Sequence, residues 1–335
     1  MLEFSIIHAD DRRSRLERWL HEVLRAELRG KHFVLTPASE DASFRRYFRA
    51  TLDDGRSYVI MDAPPEKEDC RPFLHVAQLL HAAGVHAPEV HAADLAAGFL
   101  LLSDLGTRTY LAELDAGNAD ALMRDATDAL LRWQLATRPN ELPPYDEALL
   151  RREMNLFPEW YIGRHRGMTL GATQAQALEG IFATLVRSAL AQPAVYVHRD
   201  YMPRNLMLTE PNPGVLDFQD AVLGPLTYDM VSLLRDAFIS WDDQRVLDWS
   251  VRYWEKARAA RLPVAGDFAE FWRAFEWMGL QRHLKVLGIF ARINYRDGKP
   301  KYLEDTPRFL RYARAVAQRY RELAPLARLL EEIEA

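Results

Sequence analysis

The chain has 335 residues, of which 49 % are hydrophobic and 27 % charged, enough for one large or two moderate domains with a substantial core. Its net charge of -5 argues against general nucleic-acid binding, and no run approaches the roughly 18 consecutive apolar residues of a membrane span. The single cysteine, Cys70, excludes an internal disulfide, and the short apolar start followed by Asp10-Asp11 does not read as a signal peptide, so the cytoplasm is the expected setting.

Leu16, Leu20, Val23 and Leu24 recur at helical spacing among Arg and Glu. This predicts a packing helix over residues 10–29, capped by Asp10 or Asp11 and stopped by Gly30. Residues 33–62 read as strands. Phe33-Val-Leu enters a turn at 37–43, a second strand runs from Phe44 to Leu52, and Asp53-Asp54-Gly55 turns the chain into Ser57-Tyr-Val-Ile-Met61. Ser43, Arg45, Arg46 and Arg49 stand just beyond the first turn. Alternation puts Arg45 and Arg49 on one face and Arg46 on the other. Residues 70–83 form a helix ended by Gly84. Val90 to Asp94 and Gly98 to Gly106 form a hairpin that runs into a connector. From about residue 107 the pattern is helical, strongest over 108–137 and 172–191. Between those segments lies a looser stretch with Pro139, Pro143, Pro144 and Pro158 and an aromatic cluster of Phe157, Trp160 and Tyr161.

The most informative stretch comes next. It is Val195-Tyr-Val-His198-Arg-Asp200-Tyr-Met-Pro-Arg-Asn205-Leu-Met-Leu208, followed by Gly214-Val-Leu-Asp217-Phe-Gln-Asp220. An apolar run, a polar loop, a second apolar run and an acid at the end of a short strand are the parts that phosphoryl transfer needs close together. One carboxylate accepts the proton of the attacking hydroxyl, while an amide oxygen and a second carboxylate hold Mg²⁺ against the phosphates. Asp200 is placed as the base, and Asn205 and Asp217 as metal ligands.

After Gly224-Pro225 a helix starts near Asp229, and residues 246–333 read as helical throughout. On helix 268–292, Arg282, Lys285 and Arg292 share one side with Met278 and Ile289. Segment 281–301 carries six basic residues and one acid. A solvated charged face and a binding face both fit this pattern. The positive sign favours a neutral or anionic ligand over a polycation.

The His198-Arg-Asp200 triplet, with Asn205 after a four-residue gap and Asp217 beyond it, resembles the catalytic loop and metal strand of the kinase-like phosphotransferases, among them protein kinases, choline kinases and aminoglycoside phosphotransferases. The resemblance implies an α+β, bilobal protein-kinase-like fold. A small β-rich nucleotide-binding lobe would span 1–103 and a larger, mainly helical catalytic lobe 104–335. It places a hinge for adenine at Leu102 to Leu105, with Leu102, Ser103 and Leu105 as nucleotide contacts, and makes Asp229 a support for the catalytic-loop backbone. The chain also departs from the pattern. The turn at 37–43 has no glycine, the strand position that usually carries a phosphate-binding lysine falls at or next to Met61, and no acid lies between Arg71 and Gly84 to pair with such a lysine. Ser43 and Arg45 or Arg46 are therefore expected to meet the phosphates, against the alternative of solvated arginines on an edge hairpin.

Met61-Asp-Ala-Pro-Pro-Glu, Leu280-Gln-Arg-His-Leu-Lys-Val-Leu-Gly-Ile-Phe-Ala-Arg and the stretch from Arg296 to Arg308 narrow the likeness to bacterial cell-wall sugar kinases. Those enzymes phosphorylate N-acetylmuramate and N-acetylglucosamine at the anomeric hydroxyl, in peptidoglycan recycling. The implied cofactors are ATP and Mg²⁺. The implied acceptor contacts are Asp200, Arg204, Asp220 and Arg282, with Arg282 on the lactyl carboxylate. Asp220 reads equally as a further metal ligand, and the aromatic cluster near 157–161 either as core or as a sugar-pocket wall. A monomer or weak dimer with a small amino-sugar substrate is expected. The competing readings are a kinase for another small alcohol (an aminoglycoside, choline or homoserine) and a non-catalytic nucleotide-binding scaffold.

Overall fold

A computed structural model describes residues 2–28, 32–39 and 44–334. The chain opens with helix α1 (Leu2–Val23) and the short α2 (Arg25–Leu28). Helix α1 starts well before the expected position, so residues 10 and 11 lie inside it and not at its cap. Gly30, its expected stop, lies outside the described residues. The apolar stripe that marked this helix is buried: Leu16, Leu20 and Leu24 pack on Ala50, Leu52, Ile60, Phe99 and Leu101. Each leucine withdrawn from water in this way is worth about 2 kcal/mol.

The stripe covers one face of a five-stranded antiparallel sheet made of β1 (Phe33–Ser39), β2 (Arg46–Leu52), β3 (Ser57–Asp62), β4 (Val90–Asp94) and β5 (Phe99–Ser103), in the order β1-β2-β3-β5-β4. Helix α3 (Arg71–Ala82) covers part of the other face, burying Phe73, Val76 and Leu80 in one cluster with Met61, Leu100 and Leu102. Strand alternation thus divides β2 and β3 between two cores. Gly84, with φ +70, ends α3 as expected.

The rest of the chain is mainly helical. The helix expected over 108–137 is interrupted, giving α4 (Tyr110–Glu113) and α5 (Ala119–Leu135). Asp115 Oδ1 accepts from the amides of Gly117 (2.7 Å) and Asn118 (2.9 Å), and Asn118 Nδ2 donates to the Glu113 carbonyl (2.7 Å). These local side-chain bonds satisfy the backbone without a helix. The proline-marked stretch is more ordered than expected. It contains α6 (Glu147–Met154) and a π-helix at Phe157–His165, whose Pro158 lies in the first turn, where the missing N–H costs no internal bond. Phe157 and Tyr161 are stacked and buried, so this pair belongs to the core, while Trp160 is only partly buried.

After α7 (Ala172–Leu190) come two short antiparallel pairs. Strand β6 (Ala194–Val197) pairs with β9 (Val222–Pro225), and β7 (Leu206–Met207) pairs with β8 (Gly214–Val215). Helices α8 (Tyr228–Leu234), α9 (Asp243–Ala259), α10 (Phe268–Asp297), α11 (Thr306–Arg319) and α12 (Ala324–Glu334) complete the chain. Helix α10 runs for 30 residues through the middle of this helical region. It touches the π-helix at Gly288, where a Cβ would lie 2.3 Å from the Leu156 carbonyl carbon, so only glycine allows the contact. The α10 face on which the basic residues fall is not solvated: Met278, Arg282 and Lys285 are all buried. No helix among the described residues is long and apolar enough to cross a membrane.

Candidate active site

Strands β6 to β9 hold the polar loops that the sequence singled out. Asp200 and Asn205 lie between β6 and β7, and Asp217 follows β8. Their backbone is tightly prescribed. Asp229, at the start of α8, accepts from the amides of His198 (2.7 Å) and Arg199 (3.0 Å). His198 is buried and bridges the two loops: its Nδ1 accepts from the Asp200 amide (3.2 Å) and its Nε2 donates to the Leu216 carbonyl (3.0 Å). The bond accepted at Nδ1 requires the neutral ring with its proton on Nε2, in keeping with burial, which lowers this histidine to about 4. Burial pushes Asp229 the other way, up to about 7, against the pull of the two backbone bonds it receives.

Two residues of this site adopt left-handed backbone, Arg199 (φ 75) and Asp217 (φ 62). Such conformations cost a non-glycine residue about 1–3 kcal/mol and persist only where the surroundings hold them. Here the surroundings do. Gln219 Nε2 donates to Asp217 Oδ1 (2.9 Å), and Asn205 Nδ2 reaches Asp217 Oδ2 (3.3 Å). Arg199 is anchored by Glu153 of α6, whose Oε1 lies 2.6 Å from its Nη2. The same oxygen lies 2.8 Å from Lys285 Nζ of α10, and the other accepts from the Tyr145 hydroxyl. Burial alone would raise the Glu153 carboxyl, but the Lys285 and Arg199 charges outweigh it and hold it below the usual glutamate range. Nothing in the residue type or spacing around Glu153 distinguishes it, so sequence reasoning missed this hub.

The polar loops floor a cleft of about 320 Å³ below the sheet. Leu102, Ser103, Leu105, Arg204, Asn205 and Asp217 all line it, so the expected adenine segment and the expected metal ligands share one cavity. A second hub fixes the connector. Asp104 accepts from Arg49 at 2.6 and 3.0 Å, from Ser57 Oγ at 2.7 Å and from the Gly106 amide at 2.9 Å. Burial works against this carboxylate's charge, and these bonds, led by Arg49, still hold its pKa low. Alternation had placed Arg49 on the same face as Arg45 and opposite Arg46, which was the one sequence signal for this lock.

Asn205 spends its Nδ2 on the Asp200 carbonyl (2.9 Å), which leaves Oδ1 as the amide's ligating atom. Together with the Asp217 carboxylate this gives hard oxygen donors, a set that suits Mg²⁺ shared with phosphates and water. Asp200 is half-buried, and its carboxylate takes no hydrogen bond among the described residues. Asp220 is exposed, and its carbonyl accepts from Arg199 Nη1 (3.3 Å). Arg204 is exposed and lies over the Phe238 ring, 5.3 Å from its centroid.

Three expected contacts fall differently. Ser43 lies outside the described residues. Arg46 belongs to the far face of the sheet, where its Nε lies 3.0 Å from Asp62 Oδ2 while Arg12 of α1 holds the other oxygen at 2.7 Å. That placement corrects its expected role at the phosphates, because the sheet separates it from the cleft. Arg282 is only 3 % exposed, and its charge acts on the buried Asp229 and Asp236. It is buried within α10 and not presented on an open face, and its Nη1 has no hydrogen-bond partner among the described residues. Arg45 stands just before β2, in alternation with Tyr47 and Arg49, which line the cleft, and its side chain pairs with Glu68.

Comparison with known proteins agrees with this geometry. A model of the phosphotransferase enzyme family (APH) matches residues 34–265. An N-acetylmuramate/N-acetylglucosamine kinase of Pseudomonas putida is 54 % identical over 332 residues, 97 % of this chain and 98 % of the relative. Its namesake from Pseudomonas aeruginosa is 58 % identical over 89 % of this chain and 88 % of its own. Among solved structures, the choline kinase LicA from Streptococcus pneumoniae superposes with a TM-score of 0.63 at 11 % identity, covering 90 % of this chain and 99 % of that one. The streptomycin-ATP-APH(2")-IIa ternary complex gives 0.59 at 15 % identity, over 89 % of this chain and 95 % of that one, a likeness of fold alone. A family match across most of the chain, on a protein-kinase-like frame that brings Asp200, Asn205 and Asp217 together, leads to one conclusion: this chain belongs to the phosphotransferase enzyme family.

Proposed function

We propose that the protein transfers the γ-phosphoryl group of ATP to the anomeric hydroxyl of N-acetylmuramate and N-acetylglucosamine, as a step of peptidoglycan recycling. The observation that carries this reading is the near full-length identity of 54 % to a relative of that name, on a chain whose catalytic triplet is intact. Adenine lies against Leu102, Ser103 and Leu105, and the phosphates run toward Asn205 and Asp217. Mg²⁺, when bound by Asn205 Oδ1 and the Asp217 carboxylate, neutralises phosphate charge. Asp200 orients the sugar hydroxyl and accepts its proton. An anomeric hydroxyl is more acidic than an ordinary alcohol, so the transfer asks little of the base. His198 and Asp229 keep the Asp200 backbone in place, and Arg204 and Asp220 flank the acceptor side. The intact triplet speaks against a scaffold, which has no use for all three groups.

Phosphorus NMR of the product tests the reading. Purified protein, Mg-ATP and either sugar should give a sugar phosphate signal split by the anomeric proton, with kanamycin and choline unmodified. Phosphate at another hydroxyl would keep Asp200 as base and overturn the anomeric assignment. Transfer to kanamycin or choline alone would overturn the sugar.

A further inference from the structure

The strand position where a kinase-like fold usually presents its phosphate-binding cation is occupied here by Met61, which is fully buried under α3 and accepts only the Tyr47 hydroxyl, at 3.5 Å. No basic residue of β3 replaces it, because Ser57–Asp62 contains none. The positive charge on the cleft face of this sheet comes from β2 and the residue just before it. Arg49 is already committed to Asp104 and the Gly106 carbonyl (2.9 Å) in the connector. Arg45 is the other one.

Arg45 is held differently from the other arginines of the sheet. Its Nη2 lies 3.1 Å from Glu68 Oε2, and each side chain is 13 % exposed. The second oxygen of the same carboxylate accepts the Phe44 amide at 3.3 Å. Glu68 therefore grips both the backbone that leads into β2 and the guanidinium that follows it. It stands in the segment before α3, outside the helix on which the usual acidic partner would sit. The charge of Asp220, three residues beyond the expected metal-ligand position, also acts on Arg45, as do Tyr47 of the cleft wall and Glu68. An arginine in that place, largely desolvated and steadied by a carboxylate beside the cleft wall, is suited to a bidentate hold on phosphate oxygens.

We propose that Glu68 is a positioning residue for nucleotide binding, and that the Glu68–Arg45 pair replaces the missing strand cation and its helix acid with a pair drawn from two loops. This deepens the ATP-dependent reading above and is independent of which sugar is the acceptor. Arg45 binds the phosphates, and Glu68 acts only through Arg45 and the backbone at Phe44.

The test is a double-mutant cycle on the full chain, read by titration calorimetry with Mg-ADP and with adenosine, no sugar being present. Glu68→Ala and Arg45→Ala should each weaken ADP at least tenfold and leave adenosine unchanged. Glu68→Ala in the Arg45→Ala background should add less than twofold. Glu68→Gln, which keeps an acceptor for the Phe44 amide but drops the charge, should fall between wild type and Glu68→Ala. Multiplying effects of the two substitutions would overturn the proposal, as would unchanged ADP affinity or an equal loss of adenosine. If the sugar assignment fails instead, the product NMR changes while this cycle stands. If the protein binds no nucleotide at all, neither ADP nor adenosine titrates, and both readings fall.

Discussion

The floor and the roof of the cleft are built on different plans. The floor is fixed from beneath by buried groups. Asp229, His198 and Glu153 each hold a loop that carries reacting residues, and each is at least nine-tenths buried. The roof is fixed at its edges by two mostly buried ion pairs, Arg45–Glu68 and Arg49–Asp104. On both sides a charge buried with its partner cannot let go without leaving an unpaired ion behind. What differs is what is held, since Asp229 and His198 hold loop backbone while the roof pairs hold the entry to β2 and the connector. On the proposed function, the floor would fix the reacting groups from the helices beneath them and the roof would fix the nucleotide from its own loops.

The largest expected effect sharpens this contrast at its chemical centre. Asp200→Asn keeps the shape of the floor and removes only the base. Turnover should fall by about 10²–10⁴, the usual share of a positioned base, with the dissociation constant for Mg-ADP within about threefold of wild type. Steady-state kinetics and calorimetry on the same preparation give both numbers. Full activity in the variant would move the base elsewhere.

Next comes the hub under the floor. Glu153→Gln leaves Lys285 and Arg199 without their carboxylate in a buried place, and breaking such a pair costs about 3–5 kcal/mol. Urea unfolding at neutral pH should report a loss of that order. Because Glu153 is held below its ordinary value of 4.5, its contribution is present above that pH and disappears as pH falls through the folded value. The gap between wild type and variant should therefore close only in strong acid. A gap that closes already near pH 6 would mean that Glu153 is not the ionised centre of the network.

This division also explains what could be read before the fold was known. The convergence of the motif residues was legible from type and spacing: Asp200, Asn205 and Asp217 are close along the chain, and short strands bring them together without long-range help. The helix α1 stripe and the sheet were legible from periodicity. What stayed hidden depends on partners remote in sequence. Glu153 meets Lys285 across 132 positions, numbers that no local pattern connects. Arg282 read as part of a charged face that was either solvated or ligand-binding, and the resemblance put it on a sugar carboxylate. Only the packing of α10 through the helical lobe shows it turned inward toward Asp229 and Asp236. The break after α4 was missed because Asp115 and Asn118 compete with the helix through their own side chains, which apolar spacing does not register.

The smallest expected effect separates two neighbouring arginines that the sequence could not rank. Arg46 and Arg45 are adjacent, and alternation sends them to opposite faces. Arg46 shares Asp62 with Arg12, and the carboxylate is fully buried while the Arg46 side chain is 42 % exposed. Arg12 remains to pair with Asp62 when Arg46 is removed, so Arg46→Ala should cost no more than about 1 kcal/mol of stability. The KM for ATP should stay within twofold of wild type, because the sheet lies between this side chain and the cleft. Arg45→Ala, one position away, should raise the same KM at least tenfold and, because it leaves the mostly buried Glu68 without its partner, cost more stability than Arg46→Ala. Equal kinetic effects of the two substitutions would mean that the roof responds as one unit to any loss of charge, and that the two faces of the sheet do not divide the labour between them.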